Sequence, residues 1–251
     1  MKSYFVILIL IMILILLLTI MPKKQNIFVL TVDDIALDTP EQVNTTKDII
    51  SLLQKYDMPA TFFAIPAEME RFDFPDSIEI SQHGFTHRNE KIDSYAEFKN
   101  LTVEEVEQRL LDGKYALEYL GYEPKGFRAP CLSFKKKYLE FMKKHYEYDS
   151  SFLLPQIDKF TIPIILDDPT QLVCSKKSCS KLWLTIRKKH LFFLMDINDL
   201  FNKPTILLTH NWGIKRLLQD KNGREYLDAI FEEINKRDYK KMTMLEFSRL
   251  K

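Results

Sequence analysis

The chain has 251 residues, 46% hydrophobic and 28% charged, enough for one large domain with a full core. Its 36 basic and 35 acidic residues leave a net charge of +1, so the electrostatic signature of a nucleic-acid partner is missing. Six glycines, no low-complexity tract and no internal repeat complete an ordinary globular profile.

From Tyr4 to Met21 the chain reads "YFVILILIMILILLLTIM", without charge, Gly or Pro. At about 1.5 Å per helical residue this run just reaches bilayer length. A secretory signal is the rival reading, but its apolar region is usually shorter and closes on small residues, whereas this one closes on "LTIMPKKQ". The expectation is a membrane anchor and short linker over residues 1–24, giving a single-pass membrane protein, or a secreted one if the segment is cleaved. Lys2 and the terminal amine balance Lys23 and Lys24, so charge leaves the orientation open.

Beyond "PKKQN", strands and helices alternate. "IFVLTV" (27–32) is a continuous apolar run, as in a strand covered on both faces. "EQVNTTKDIISLLQKYD" has helical spacing, and "ATFFAIP" and "SIEI" read as the next strands. "TVEEVEQRLLDGKYALEYLG" is a helix with a Thr102–Glu105 capping box and Gly121 at its C-terminal cap. "GFRAP", "YEYDSSF", "FTIPIIL" and "TILLTH" read as later strands, between which lie "KKKYLEFMKKHYE" and the stretch around "KLWLTIRKKHLFF". "REYLDAIFEEINKRD" is a final amphipathic helix. Repeated β–α units predict an α/β fold, a distorted (β/α) barrel of about seven strands over residues 25–251. In such a fold chemistry sits at the C-terminal ends of the strands.

Four polar clusters fall there. "TVDD" holds Asp33 and Asp34, "HGFTH" holds His83 and His87, "FRAP" holds Arg128, and "TILLTH" ends in His210. Each has a bland reading: a helix cap, a solvated turn, a surface Arg, a core His. Together they put two carboxylates, three imidazoles and a guanidinium at predicted strand ends, with only five His in the chain.

In this order and spacing the residues resemble the polysaccharide deacetylases, the NodB-like carbohydrate esterase family four, from about Phe28 to Leu250. The resemblance implies Asp33 as catalytic base, with Asp34, His83 and His87 as ligands of one divalent metal, most simply zinc. It implies Arg128 orienting the base, Asp149 of "YDSSF" as partner of the acid, and His210 as the general acid. Leu207 would line the acetate pocket, and the N–H of Cys131, after Pro130, would face the oxyanion. Two imidazoles and one carboxylate leave coordination positions open, as catalytic rather than structural sites do. A base and an acid without a nucleophile describe hydrolysis with no covalent intermediate.

Some positions depart from the family pattern. Ile35 follows the Asp pair where Gly is frequent, and Gly84 replaces the usual Ser or Thr, with Thr86 nearby to tie the loop. "CLSF" and Phe152 stand where larger aromatics would floor a sugar site. His145 and His190 read as solvated, and Asp167 and Asp168 as loop residues that contact substrate or cap a turn. Cys131 reads as packing rather than as a nucleophile.

The resemblance implies removal of N-acetyl groups from an amino sugar in a polysaccharide or cell-envelope glycan. Such a substrate, and a Cys174–Cys179 bridge set against two ordinary thiols, place the domain on the outer face of the membrane. The alternatives are a metal-dependent amidohydrolase of a non-sugar C–N bond and an inactive carbohydrate-binding relative.

Overall fold

The computed structural model describes residues 25–151, 164–165 and 180–250. Chain order begins with β1 (Asn26–Ile35), α1 (Pro40–Lys55), β2 (Ala60–Ala64) and β3 (Ile78–His83). Then come α2 (Val103–Tyr119), β4 (Gly126–Arg128), α3 (Leu139–His145), β5 (Tyr148–Asp149) and β6 (Ile164–Ile165). The chain closes with α4 (Lys181–Leu200), β7 (Thr205–His210), α5 (Asn211–Leu218), α6 (Lys221–Lys236), β8 (Tyr239–Met242) and α7 (Met244–Ser248).

Local chemistry accounts for the helix starts. Thr39 caps α1 through Gln42, with Pro40 as the first helical residue, so the Asp33–Asp34 pair is not needed as a cap. Thr102 and Glu105 form the expected box on α2, and Gly121 takes φ +91° just beyond its end.

All pairings in the eight-stranded sheet are parallel. The order is β5-β4-β3-β2-β1-β7-β6, with β8 paired to Asn26–Val29 of β1. On the helix side Phe28, Leu30, Val32, Phe62 and Leu207 pack against Leu53, Leu191, Ile214 and Ile230. On the inner side Val29, Phe63, Tyr148, Ile206 and Met242 form a separate cluster. The sheet is strongly curled. Three strand spacings separate β4 from β1, roughly 14 Å in a flat sheet, yet Arg128 reaches Asp33.

Two expectations are corrected here. The distorted barrel of about seven strands is not closed: β5 and β6 end the strand order, and among the described residues they do not pair with each other. The fold is a half-barrel of eight parallel strands. Nor does the structure bear out a transmembrane helix or single-pass membrane localisation. No described helix is long and apolar enough to cross a membrane. The 20-residue α4 has the length but carries Lys181, Arg187, Lys188, Lys189, Asp196 and Asp199. The run 4–21 lies outside the described residues, as do Phe152, Asp167, Asp168, Cys174 and Cys179.

Candidate active site

Strand ends bring the polar residues together. Asp33, His83, Arg128, Asp149 and His210 all lie within the last three residues of their strands. On β1, Asp33 pairs in register with His210 of β7. The β1–β2 register then slips between Val32 and Ile35, and Asp34 adopts φ +61°. This bulge gives two adjacent carboxylates different surroundings.

Asp33 faces inward and is 3% exposed. Arg128 Nη1 donates to its Oδ1 at 2.5 Å and to Thr31 Oγ1 at 2.9 Å. Arg128 Nε donates to Ser150 Oγ at 2.8 Å, and its guanidinium lies 4.1 Å from the centre of the Phe63 ring. The arginine is therefore held on three sides, and with it the carboxylate.

Asp34 faces the histidines. Its Oδ1 lies 3.3 Å from His83 Nε2 and 3.1 Å from His87 Nε2. His83 Nδ1 sits 2.9 Å from the Arg128 carbonyl, which only accepts, so Nδ1 carries the proton and Nε2 presents a lone pair. Asp34 Oδ1 is buried and has no hydrogen-bond partner of acceptable geometry. Burial raises the Asp34 carboxyl, but the hydrogen-bonding and charge influence of His83 and His87 wins and holds it well below the usual carboxylate range. Burial lowers His87, but its approach to Asp34 outweighs that and raises it. One atom each from Asp34, His83 and His87 lies within 4.8 Å of the others, around a buried carboxylate oxygen without a hydrogen-bond partner, so these three residues fit a divalent metal.

The loop carrying His87 is held by a residue that no motif signals. Glu97 is fully buried; it accepts from Phe85 N at 3.0 Å and from His87 N at 2.9 Å, with Arg109 Nη1 at 3.4 Å. Burial raises its carboxyl despite these donors. Thr86 also ties the loop: its hydroxyl bonds locally with Arg88 and accepts from Arg109 Nη1 at 3.4 Å. A positive φ at His87, +56°, completes the turn.

Around these groups lie the remaining candidates. The His210 ring stacks on Trp212, centroids 5.1 Å apart at 24°. Asp149 Oδ1 accepts from the N–H and hydroxyl of Ser151, while Oδ2 is buried with no hydrogen-bond partner. Burial pushes the Asp149 carboxyl up, against the pull of Ser151 and Arg128. Cys131 has φ +53°, and the turn's hydrogen bonds use the N–H groups of Leu132 and Ser133. Burial, then the Asp34 charge, pushes its thiol up, away from a thiolate nucleophile. Pro130 packs within reach of Gly84. Leu207 is not brought into the site: it packs in the helix-side cluster, and strand alternation gives Leu208 the His210 face. His190 is exposed and His145 lies against Phe141.

Residues 21–148, just over half of the chain, match the family model for polysaccharide deacetylase. The chain belongs to the polysaccharide deacetylase family. It is accordingly a hydrolase of the class that acts on N-acetyl amide bonds of carbohydrates. A comparison with curated proteins finds no match. Among solved structures, a Mycobacterium smegmatis protein assigned to the polysaccharide deacetylases superposes with a TM-score of 0.65 at 15% identity, covering 91% of this chain and 90% of its own. The Bc1960 peptidoglycan N-acetylglucosamine deacetylase gives 0.56 at 17%, covering 90% and 89%. BA3943 from Bacillus anthracis, a CE4 family pseudoenzyme, gives 0.55 at 15%, covering 90% and 66%. At these identities the likeness is one of fold.

Proposed function

We propose that this deacetylase removes N-acetyl groups from an amino sugar within a polysaccharide or cell-envelope glycan, using one divalent ion, zinc, held by Asp34, His83 and His87. The observation that carries the reading is the buried, unsatisfied Asp34 Oδ1 between two imidazole nitrogens at 3.1 and 3.3 Å. When bound, such an ion supplies Lewis-acid polarisation and an acidified water.

The chain's own residues supply the rest. Asp33, aimed by its contact with Arg128, takes the proton of the attacking water. His210, on the neighbouring strand at the same level, returns a proton to the departing amine. The Cys131 N–H faces the developing oxyanion; the positive φ there turns the peptide away from the bonding of its own turn. Leu208 gives the acetyl methyl an apolar neighbour on the His210 face. Asp149, half-buried and within the electrostatic influence of Arg128, sets the charge balance at the back of the site.

Acetate release from N-acetylglucosamine oligomers, measured with and without chelator, tests this reading. Chelator-sensitive release restored by zinc is expected. Release from a non-sugar acetamide alone would redirect it to another C–N bond, and no release from any amide would leave a carbohydrate-binding relative.

A further inference from the structure

Trp212 stands at the junction of the two halves of the site, and neither the family motifs nor the proposed chemistry uses it. Its Nε1–H donates to Asp34 Oδ2 at 3.0 Å, on the oxygen turned away from the histidines. Its ring stacks on His210, and Arg216 lies 5.4 Å from the ring centre. Next to it, Asn211 Nδ2 donates to the Asp34 carbonyl at 3.3 Å. The first turn of α5 is thus latched onto the β1 bulge by side chain and backbone together.

We infer that Trp212 is a positioning residue that fixes two groups at once, presenting Asp34 to the metal through a single oxygen and bracing the His210 ring. A carboxylate free to rotate could turn either oxygen, or both, toward a cation. With Oδ2 engaged by the indole, Oδ1 alone is left between His83 Nε2 and His87 Nε2. The donor type matters. An indole N–H only donates, so it cannot reverse its role, and it brings no positive charge to compete with a bound cation. A Lys or Arg in its place would neutralise the ligand; a hydroxyl could rotate away. On the other side, a near-parallel aromatic ring restricts the imidazole to one plane. Restricting that plane is what a proton donor needs, since displacement by about an ångström costs on the order of 100-fold in rate.

This inference rests on the metal-dependent reading above, and its test separates the two. The full chain carries two tryptophans, so Trp183→Phe leaves Trp212 as the sole indole. In that background, zinc ions alone, added to chelator-stripped protein, should change Trp212 emission, and His83→Ala with His87→Ala should abolish the change. Zinc affinity and kcat at saturating zinc are then compared for Trp212→Phe, which keeps a stacking ring without the N–H, and Trp212→Leu, which keeps neither. Trp212→Phe should weaken zinc binding by about 10- to 100-fold, the usual worth of an outer hydrogen bond to a ligand, with kcat near wild type once saturated. Trp212→Leu should show the same weakening and also lose about 10- to 100-fold in kcat at saturating zinc. Thermal melts confirm that both variants are folded; if Trp212→Leu melts early, Trp212→Met, which fills more of the space without a ring, replaces it and should show the same two losses. If the parent protein binds no zinc, the metal reading fails. If the parent binds zinc and Trp212→Phe binds it equally well, the inference fails while the metal reading stands.

Discussion

A Cβ placed on Gly84 would lie 2.2 Å from Oε2 of Glu97, the carboxylate that receives the N–H groups of Phe85 and His87. The two residues form one device. A buried carboxylate arrives from ten residues beyond His87 and needs an empty position beneath it. Gly84 also holds φ +66°, so a side chain is opposed twice.

Gly84→Ser should therefore destabilise the fold by about 1–3 kcal/mol and weaken metal binding. Glu97→Ala in the same background should recover part of the loss. Denaturant unfolding of the four members of the cycle measures the coupling; strictly additive effects would show that the two positions are independent.

Arg128 and Asp33 predict a different asymmetry. Both are nearly inaccessible, so removing the cation leaves a buried charge without its partner. Arg128→Met should cost about 3–5 kcal/mol, more than the double change Arg128→Met, Asp33→Leu, which removes both charges. Equilibrium unfolding decides it. A single variant no less stable than the double would mean that Asp33 is supported elsewhere.

The chelated protein should lose stability as pH rises through and above the ordinary histidine range. His87 is raised above its ordinary value by Asp34, against the opposing effect of burial, so the folded state binds its proton more tightly than the unfolded chain does. That contribution is complete below the unfolded pKa and is lost as pH climbs through the folded one. Asp34 is shifted the other way; its contribution persists through this window and disappears only in strong acid. Metal binding must expel the His87 proton, so zinc affinity should increase over the same pH range. Melting temperatures of chelated wild type and His87→Gln provide the check: the slope should flatten in the variant, and equal slopes would remove His87 from the account.

Much of this architecture was readable from sequence because its signals are local. The Thr102–Glu105 box, the Asp pair, the two histidines and the β–α alternation each depend on residues close in the chain. Other elements lacked such a signal. β8 reads "YKKM", two lysines in a four-residue strand, and its place beside Asn26–Val29 is a long-range pairing. α5 begins directly on His210, so its first turn merges with a motif. Barrel closure depends on which strands meet across the molecule, which periodicity does not encode. Leu207 was assigned by motif; alternation along β7 counts it onto the helix face. Glu97 and Trp212 serve the site through tertiary contacts, and a lone Glu or Trp carries no spacing to announce that.

The central claim is that two neighbouring carboxylates, separated by one bulge, do different work. It is tested by measuring bound metal and initial deacetylation rate on the same preparations of wild type, Asp33→Asn, Asp34→Asn and His210→Ala. Asp33→Asn and His210→Ala should keep their metal and lose about two to four orders of magnitude in rate. Asp34→Asn should lose metal affinity, with part of its rate recovered in excess zinc. Loss of metal from Asp33→Asn, together with full metal and full rate in Asp34→Asn, would contradict the account.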